Sequence, residues 1–231
     1  MTRVAVVTGA KGGIGRAVCG RLRDDGWRVV GLDLDPDPGN GSCRVADVRD
    51  RESLSEVLSD LPRVDGLVSN AAVMPDTRLL QMTESEWQET LATNLTPTFN
   101  LLGLLHERLA ATRGAVVAVS SVHAMATTAD AGAYAASKAG LLGLVRGAAI
   151  ELGPVGVRVN AVLPGATDTL MLSRDEPGFE SLVSKTPLRR IARPAEIAEA
   201  VAFLLDDVRS GFITGQQFAI DGGALAQLST E

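Results

Sequence analysis

Short apolar runs alternate with amphipathic segments along nearly the whole chain. Apolar runs bounded by glycine or polar residues predict strands at 4–8, 28–33, 43–48, 64–72, 114–121, 157–165 and 215–223. Segments with helical spacing predict helices at 13–26, 50–61, 83–113, 132–153 and 193–207. Apolar strands that alternate with helices are typical of a parallel sheet buried on both faces. We therefore predict one α/β domain over residues 1–231, a doubly wound parallel sheet of about seven strands with helices on both faces.

Composition narrows the class of protein. The 231 residues, of which 45% are hydrophobic and 22% charged, suffice for one globular domain with a full core. The net charge of −6 argues against a nucleic-acid or anionic-membrane partner. No apolar run reaches the ~18–20 residues of a membrane span, and the N terminus lacks a signal-peptide pattern, so we expect a cytoplasmic protein. The two Cys and two His match no metal-ligand spacing, and no metal site is expected.

A single stretch, residues 166–192, loses clear periodicity. It follows the end of the sixth predicted strand. Irregular segments at that edge of a parallel sheet commonly cover a binding site. We predict that this stretch forms a short flap over such a site.

A glycine-rich turn joins the first strand to the first helix. Gly9, Gly13 and Gly15 let the backbone approach a pyrophosphate, and the helix N terminus presents free N–H groups and partial positive charge to it. The spacing is G-x-x-x-G-x-G rather than the commoner G-x-G-x-x-G. Glycines required only by a tight turn are the alternative interpretation.

An acidic residue strengthens the dinucleotide interpretation. Asp33 ends the second predicted strand, 18 residues after Gly15. A carboxylate at this place accepts hydrogen bonds from both adenosine-ribose hydroxyls and repels a 2′-phosphate, which favours NAD over NADP. Lys11 in the glycine loop can reach a phosphate, so NADP remains the alternative cofactor. The ends of the third and fourth strands are expected to contact the adenine and the ribose through Asp47, Val48, Asn70, Ala71 and Ala72.

The chain contains a single tyrosine, Tyr134, and Lys138 follows one helical turn later. The two side chains lie on the same helix face. A nearby ammonium group lowers the phenol pKa from its usual value of about 10, at about 1.4 kcal/mol per unit. Ser121, at the end of the fifth strand, adds a hydroxyl that can hold a substrate oxygen.

Six motifs occur in the order and spacing of one family: TGAKGGIG (8–15), NAA (70–72), TNL (93–95), Ser121, YAASK (134–138) and PGATDT (164–169). On these motifs the chain resembles the short-chain dehydrogenase/reductase family from Val4 to about Gly223, and the resemblance implies a Rossmann-like fold. Ala72 departs from the pattern, since glycine is frequent at that place.

The resemblance implies a role for each matched residue. Tyr134 would be the general acid and base, and Ser121 would orient the reacting oxygen. Lys138 would bind the nicotinamide ribose and lower the pKa of Tyr134, while Asn94 would hold a water molecule that links Lys138 to solvent. The remaining matched residues would contact the cofactor: Gly9, Lys11, Gly13, Ile14, Gly15, Pro164, Gly165, Thr167 and Thr169. Family members commonly form homodimers or homotetramers, which we expect here through the helices at 83–113 and 132–153 and the C-terminal strand region.

Residues next to these motifs suggest the substrate. His123, Met125, Leu170 and Met171 are the candidate pocket residues, and the set is mainly apolar. We therefore expect hydride transfer between the nicotinamide and a secondary alcohol or ketone on an apolar or cyclic body, such as a cyclic alcohol, a hydroxysteroid-like ring or a 3-hydroxyacyl chain. The alternative is a dinucleotide-binding redox sensor or scaffold without turnover. Retention of both Tyr134 and Lys138 favours the enzyme.

Overall fold

The computed structural model describes residues 1–35, 43–172 and 179–227. Its strands are β1 (Val4–Thr8), β2 (Arg28–Asp33), β3 (Cys43–Val45), β4 (Gly66–Ser69), β5 (Ala115–Val119), β6 (Arg158–Pro164) and β7 (Gln217–Ile220). Its helices are α1 (Gly13–Asp24), α2 (Arg51–Leu58), α3 (Glu84–Asn94), α4 (Thr96–Thr112), α5 (Gly132–Leu152), α6 (Phe179–Lys185), α7 (Pro194–Leu205) and α8 (Asp207–Ser210).

The seven strands form one parallel sheet in the order β3-β2-β1-β4-β5-β6-β7. The strand order reverses between β1 and β4, where doubly wound sheets bind ligands at the carboxyl ends of their strands. This arrangement confirms the predicted Rossmann-like α/β fold.

Two apolar layers bury the faces of the sheet. On one face, α1 and α7 pack through side chains such as Val18, Leu22, Ile197 and Val201. On the other face, α2, α4 and α5 contribute a second cluster of buried leucines and valines. Because both faces are covered, the central strands are apolar throughout, which is the pattern that the sequence shows.

The helix predicted at 83–113 is instead two helices, and that prediction is wrong in this respect. α3 ends at Asn94 and α4 begins at Thr96, with Leu95 between them at φ −117° and ψ −55°. Pro97 explains the break, because a proline has no N–H and its ring clashes with the carbonyl four residues earlier. The break leaves the Asn94 side chain buried at the junction.

Several strands are shorter than predicted, mainly at their carboxyl ends. β3 ends at Val45 rather than residue 48, and β4 ends at Ser69 rather than residue 72. The backbone beyond Ser69 leaves the ladder because Asn70 and Ala71 bond to the Thr8 hydroxyl instead.

Among its described residues, the predicted flap contains the short helix α6, and its two ends are hydrogen-bonded to each other. Ala192 N donates to Ala166 O at 2.8 Å, and Asp168 N donates to Ala192 O at 2.9 Å. Leu188 N donates to Gly222 O at 3.1 Å. Residues 173–178 of the flap lie outside the described residues.

Within the part of the chain that the structure describes, no helix has both the length and the apolar character needed to cross a membrane. Over residues 1–35, 43–172 and 179–227, no group of three or more His, Cys, Asp or Glu side chains is arranged to hold a metal ion.

Candidate active site

The glycine loop has the geometry of a phosphate cradle. Gly9 has a φ of +63°, and a Cβ on Gly15 would lie 2.0 Å from the Gly9 carbonyl oxygen, so the turn requires glycine at both positions. Helix α1 then begins without a side-chain cap at Gly12 and without an acidic residue in its first turn. Its first N–H groups therefore suit an anionic group, and the loop fits the pyrophosphate of a dinucleotide.

Thr8 and Asn70 hold this loop in place. The Thr8 hydroxyl oxygen accepts hydrogen bonds from Asn70 N at 2.9 Å and Ala71 N at 3.0 Å. The Asn70 amide donates to Thr8 O at 3.0 Å and to Gly9 O at 3.2 Å. These bonds fix the carboxyl ends of β1 and β4 against each other. Sequence analysis missed Thr8, although a hydroxyl residue at the last position of an apolar strand was a usable signal.

Asp33 lies beside the glycine loop, as predicted from the end of β2. Its carboxylate accepts hydrogen bonds from Lys11 N and Leu34 N, both at 2.9 Å. The Lys11 ammonium lies 3.7 Å from the Asp35 carboxylate. The bond from Lys11 N ties Asp33 to the loop that would hold the phosphates, so the position of the carboxylate relative to this loop is fixed.

The residue pair predicted for the adenine has a partner that sequence analysis missed. The Arg49 guanidinium binds both Asp47 carboxylate oxygens, with Arg49 Nε 3.0 Å from each of them. This contact lowers the pKa of Asp47. Arg49 also reaches Glu89 on α3 at 3.2 Å, whereas Val48 is buried in the core. Adenine binding by Asp47 and Val48 stays a prediction.

Ser121 and Tyr134 meet at the carboxyl end of β5. Both are buried, and the Ser121 side chain is close enough to the Tyr134 hydroxyl to act on the pKa of the phenol, lowering it. The Ser121 oxygen also accepts a hydrogen bond from His123 N at 3.2 Å. Two hydroxyl groups are thus brought together beside the sheet edge that carries the glycine loop, which is the arrangement required to hold and protonate a substrate oxygen.

The electrostatics of this pair differ from the expected depression of the Tyr134 pKa. Burial raises the pKa of Tyr134, and the Ser121 side chain offsets only part of this effect. Lys138 is itself buried and donates to Val119 O at 2.8 Å, with its nitrogen 5.5 Å from the centre of the Tyr134 ring. Burial lowers the pKa of Lys138 to about 7, because a low-dielectric environment disfavours the charged amine.

Asn94 connects three elements through its side chain. Its amide oxygen accepts a hydrogen bond from Val73 N at 2.8 Å, and its nitrogen donates to Val73 O at 2.9 Å and to the Ser137 hydroxyl at 3.0 Å. Ser137 in turn donates to Tyr134 O at 2.7 Å. Asn94 therefore ties the loop after β4 to the first turns of α5, and the water site expected beside it stays a prediction. Sequence analysis did not single out Ser137.

The segment after β6 reaches the glycine loop. Gly165 N donates to Ile220 O at 3.0 Å, and the Thr167 hydroxyl donates to Gly165 O at 2.9 Å. The Thr169 side chain occupies the space beside Gly13, where an added Cβ would come within 2.7 Å of its methyl group. Pro164 ends β6, and Ile14 packs against the apolar layer of α1 and α7. The glycine loop and the 164–169 motif, both predicted to contact the cofactor, therefore meet.

Of the predicted pocket residues, His123 lies next to the reacting groups. Its ring makes an edge contact with the Tyr134 ring, with centroids 5.6 Å apart and an interplanar angle of 78°. The Met125, Leu170 and Met171 side chains are exposed. Their contact with a substrate stays a prediction.

Comparisons with known proteins place this geometry in a family. The family model described as Enoyl-(Acyl carrier protein) reductase matches residues 9–224. The chain is 34% identical over 239 residues to the 3-oxoacyl-(acyl-carrier-protein) reductase of Thermotoga maritima, covering 96% of this chain and 97% of the relative. It is 36% identical over 228 residues to the acetoacetyl-CoA reductase of a Synechocystis species, covering 95% of each.

Solved structures agree with the sequence relatives. A short-chain dehydrogenase/reductase from Burkholderia thailandensis superposes with a TM-score of 0.90 at 35% identity, covering 100% of this chain and 95% of that one. The aldohexose dehydrogenase of Thermoplasma acidophilum gives a TM-score of 0.91 at 29% identity, covering 99% of this chain and 96% of that one. The chain belongs to the short-chain dehydrogenase/reductase family of NAD(P)-dependent oxidoreductases.

Proposed function

We propose that this protein is an NAD-dependent oxidoreductase that interconverts a 3-hydroxyacyl thioester and the corresponding 3-oxoacyl thioester. The observation that carries the proposal is that Ser121 and Tyr134 lie buried next to each other, with Lys138 one helical turn from Tyr134. These groups lie at the sheet edge that also presents the glycine loop and Asp33.

The residues divide the chemistry as follows. The bound nicotinamide would exchange a hydride with the substrate carbon. Ser121 holds the substrate oxygen, and Tyr134 gives that oxygen a proton in reduction or removes it in oxidation. Lys138 would bind the ribose hydroxyls of the cofactor, and its burial keeps water away from the amine. The reaction balances as alcohol plus NAD⁺ giving ketone, NADH and one proton.

The preference for NAD rests on Asp33. Its carboxylate stands at the end of β2 and is held to the glycine loop by Lys11 N. A negative group there repels the 2′-phosphate of NADP and accepts hydrogen bonds from the free ribose hydroxyls of NAD. The Lys11 ammonium is the opposing feature, and its proximity to the Asp35 carboxylate reduces its attraction for a phosphate.

The thioester class combines the relatives' activities with the surface near the site. Two of the relatives are named for reduction of 3-oxoacyl or acetoacetyl thioesters. Exposed apolar side chains follow β4, β5 and β6, and we propose that they receive the acyl chain: Val73, Met74, Met125, Leu170 and Met171. Cyclic alcohols, the other substrates expected from an apolar pocket, serve as the comparison.

An absorbance assay at 340 nm tests the proposal. Acetoacetyl-CoA is assayed with NADH and with NADPH. In the opposite direction, 3-hydroxybutyryl-CoA and cyclohexanol are assayed with NAD⁺. The Tyr134→Phe variant is the control in each assay. We expect the largest kcat/KM for acetoacetyl-CoA with NADH. Binding of NADH without turnover of any substrate would favour the sensor or scaffold alternative.

We also propose that the chain forms a homodimer or homotetramer through α4 and α5. Phe99 on α4 is 61% exposed and Ile150 on α5 is 79% exposed. Gly147, one turn before Ile150, has open space around it that a partner helix can enter. Light scattering after size exclusion measures the mass directly, and a monomer would contradict this part of the proposal.

A further inference from the structure

His123 lies beside both groups that hold the reacting oxygen. It follows Ser121 by two residues, in the 3₁₀ turn Val122–Ala124, and its backbone N–H donates to the Ser121 oxygen. Its ring contacts the edge of Tyr134 with centroids 5.6 Å apart. A substrate whose oxygen lies between Ser121 and Tyr134 therefore has the imidazole as its neighbour.

One side-chain hydrogen bond holds the ring. Nδ1 lies 2.9 Å from the Thr127 hydroxyl oxygen, and that oxygen lies 3.4 Å from Thr128 O. The hydroxyl has one proton, which it can give to Nδ1 or to Thr128 O. With Thr127 donating to Nδ1, the proton of the neutral ring is on Nε2. Burial lowers the pKa of His123, which keeps the ring neutral at pH 7.

The Nε2–H group is available to a ligand. Among the described residues, Thr127 is the partner of the ring, through Nδ1, and no buried side-chain nitrogen or oxygen lacks a partner. Nε2 therefore reaches open space rather than the protein interior. A neutral N–H at this place donates to a carbonyl oxygen and accepts nothing from a hydroxyl.

We propose that the Thr127 hydroxyl donates to Nδ1 of His123, and that His123 determines substrate specificity by donating its Nε2–H to a second carbonyl oxygen, located two carbons from the reacting ketone. The inference rests on the proposed function, since C1 of a 3-oxoacyl thioester carries this oxygen. An ester or a carboxylate at C1 presents the same acceptor, whereas a simple ketone does not. A ring retained only for packing against Tyr134 would make no such distinction.

The test compares three ketones with two His123 variants. Acetoacetyl-CoA and ethyl 3-oxobutanoate carry the second carbonyl, and pentan-2-one lacks it. His123→Leu should lower kcat/KM about tenfold for the first two, the effect of one lost hydrogen bond, and less than twofold for pentan-2-one. His123→Gln should retain most activity with all three, because its amide nitrogen reaches the place of Nε2.

The outcomes separate this inference from the proposed function. Equal losses of His123→Leu on all three ketones, or no loss on any, would overturn the inference. A wild-type protein that reduces the ester but not acetoacetyl-CoA would overturn the thioester assignment, and the comparison of ester with simple ketone would still decide the role of His123.

Thr127 supplies an independent variant with a matched control. Thr127→Val removes the hydroxyl that fixes Nδ1, and we expect a loss of about threefold confined to the two dicarbonyl substrates. Thr128→Val is the control, because the Thr128 side chain caps no helix and its carbonyl is unchanged. Identical kinetics of the two variants on every substrate would contradict the assigned tautomer.

Discussion

The buried amine of Lys138 makes the desolvation of a charge in the candidate active site measurable, through the pH dependence of the free energy of unfolding. The side chain is 2% exposed, and its nitrogen donates to Val119 O at 2.8 Å. Burial lowers its pKa from 10.5 to about 7. Lys138→Met keeps an unbranched apolar stem and removes the titrating group, so the variant isolates the effect of the amine on the free energy of unfolding.

The expected magnitude follows from proton linkage. Above pH 7 the folded protein leaves Lys138 neutral, whereas the unfolded chain keeps it protonated up to about pH 10.5. Because the unfolded state then binds more protons, stability rises with pH across this window. A shift of about 3.5 units corresponds to about 5 kcal/mol in full, of which about 2 kcal/mol falls between pH 7 and pH 9. Below pH 6 both states are protonated and the contribution is constant.

Urea unfolding of the cofactor-free protein measures this contribution. Tryptophan fluorescence is followed at pH 6, 7, 8 and 9 for the wild type and Lys138→Met at one protein concentration. The free energy of unfolding of the wild type minus that of the variant should increase by about 2 kcal/mol from pH 7 to pH 9. Tyr134 does not interfere, because burial raises its pKa and keeps it protonated in this range.

Lys185→Met is the matched control, since Lys185 is exposed at the end of α6. The difference between Lys185→Met and the wild type, measured at the same four pH values, gives the baseline. A Lys138→Met difference that does not rise above this baseline between pH 7 and pH 9 would refute the argument, because it would show that burial does not depress the pKa of the amine.

The other predictions concern the proton donor, the cofactor and the buried hydrogen bond between Asn94 and Ser137. Tyr134→Phe should lower kcat at least ~100-fold and leave the Kd for NADH, measured by fluorescence titration, nearly unchanged; retained activity would reveal another donor. Asp33→Ala should weaken NADH more than NADPH in the same titration, and equal weakening would overturn the proposed preference for NAD. Ser137→Ala should lower the free energy of unfolding by about 1–3 kcal/mol, since it leaves a buried Asn94 N–H without its acceptor; urea midpoints at wild-type values would contradict this.

The elements that the sequence predicted well are those encoded by local pattern. The succession of strands and helices along the chain, the glycine turn and the spacing of Tyr134 and Lys138 depend on neighbours within a few residues. The helix break at Leu95 was also encoded locally, because Pro97 excludes a continuous helix. Pro97 alone therefore predicts two helices in this region.

Contacts between segments that are far apart in the sequence could not be predicted from the local sequence pattern. Arg49 follows Asp47 by two residues, but its ion pair with Glu89 depends on where the fold places α3. The same holds for Thr8. Its hydroxyl becomes an acceptor only because the fold places the N–H groups of Asn70 and Ala71, which follow β4, beside it. Such side chains acquire a role only through tertiary placement.

The electrostatics of the catalytic pair show why proximity in sequence does not fix a pKa. A spacing of four residues places Tyr134 and Lys138 on one helix face, and from this alone the phenol pKa should fall. The fold instead buries both groups, and burial disfavours the charged form of each: it raises the pKa of Tyr134 and lowers that of Lys138. A neutral amine attracts a phenolate less than an ammonium does, so the two shifts reinforce each other. Desolvation therefore outweighs the attraction between neighbours in this pair, and only a tertiary structure reveals its size.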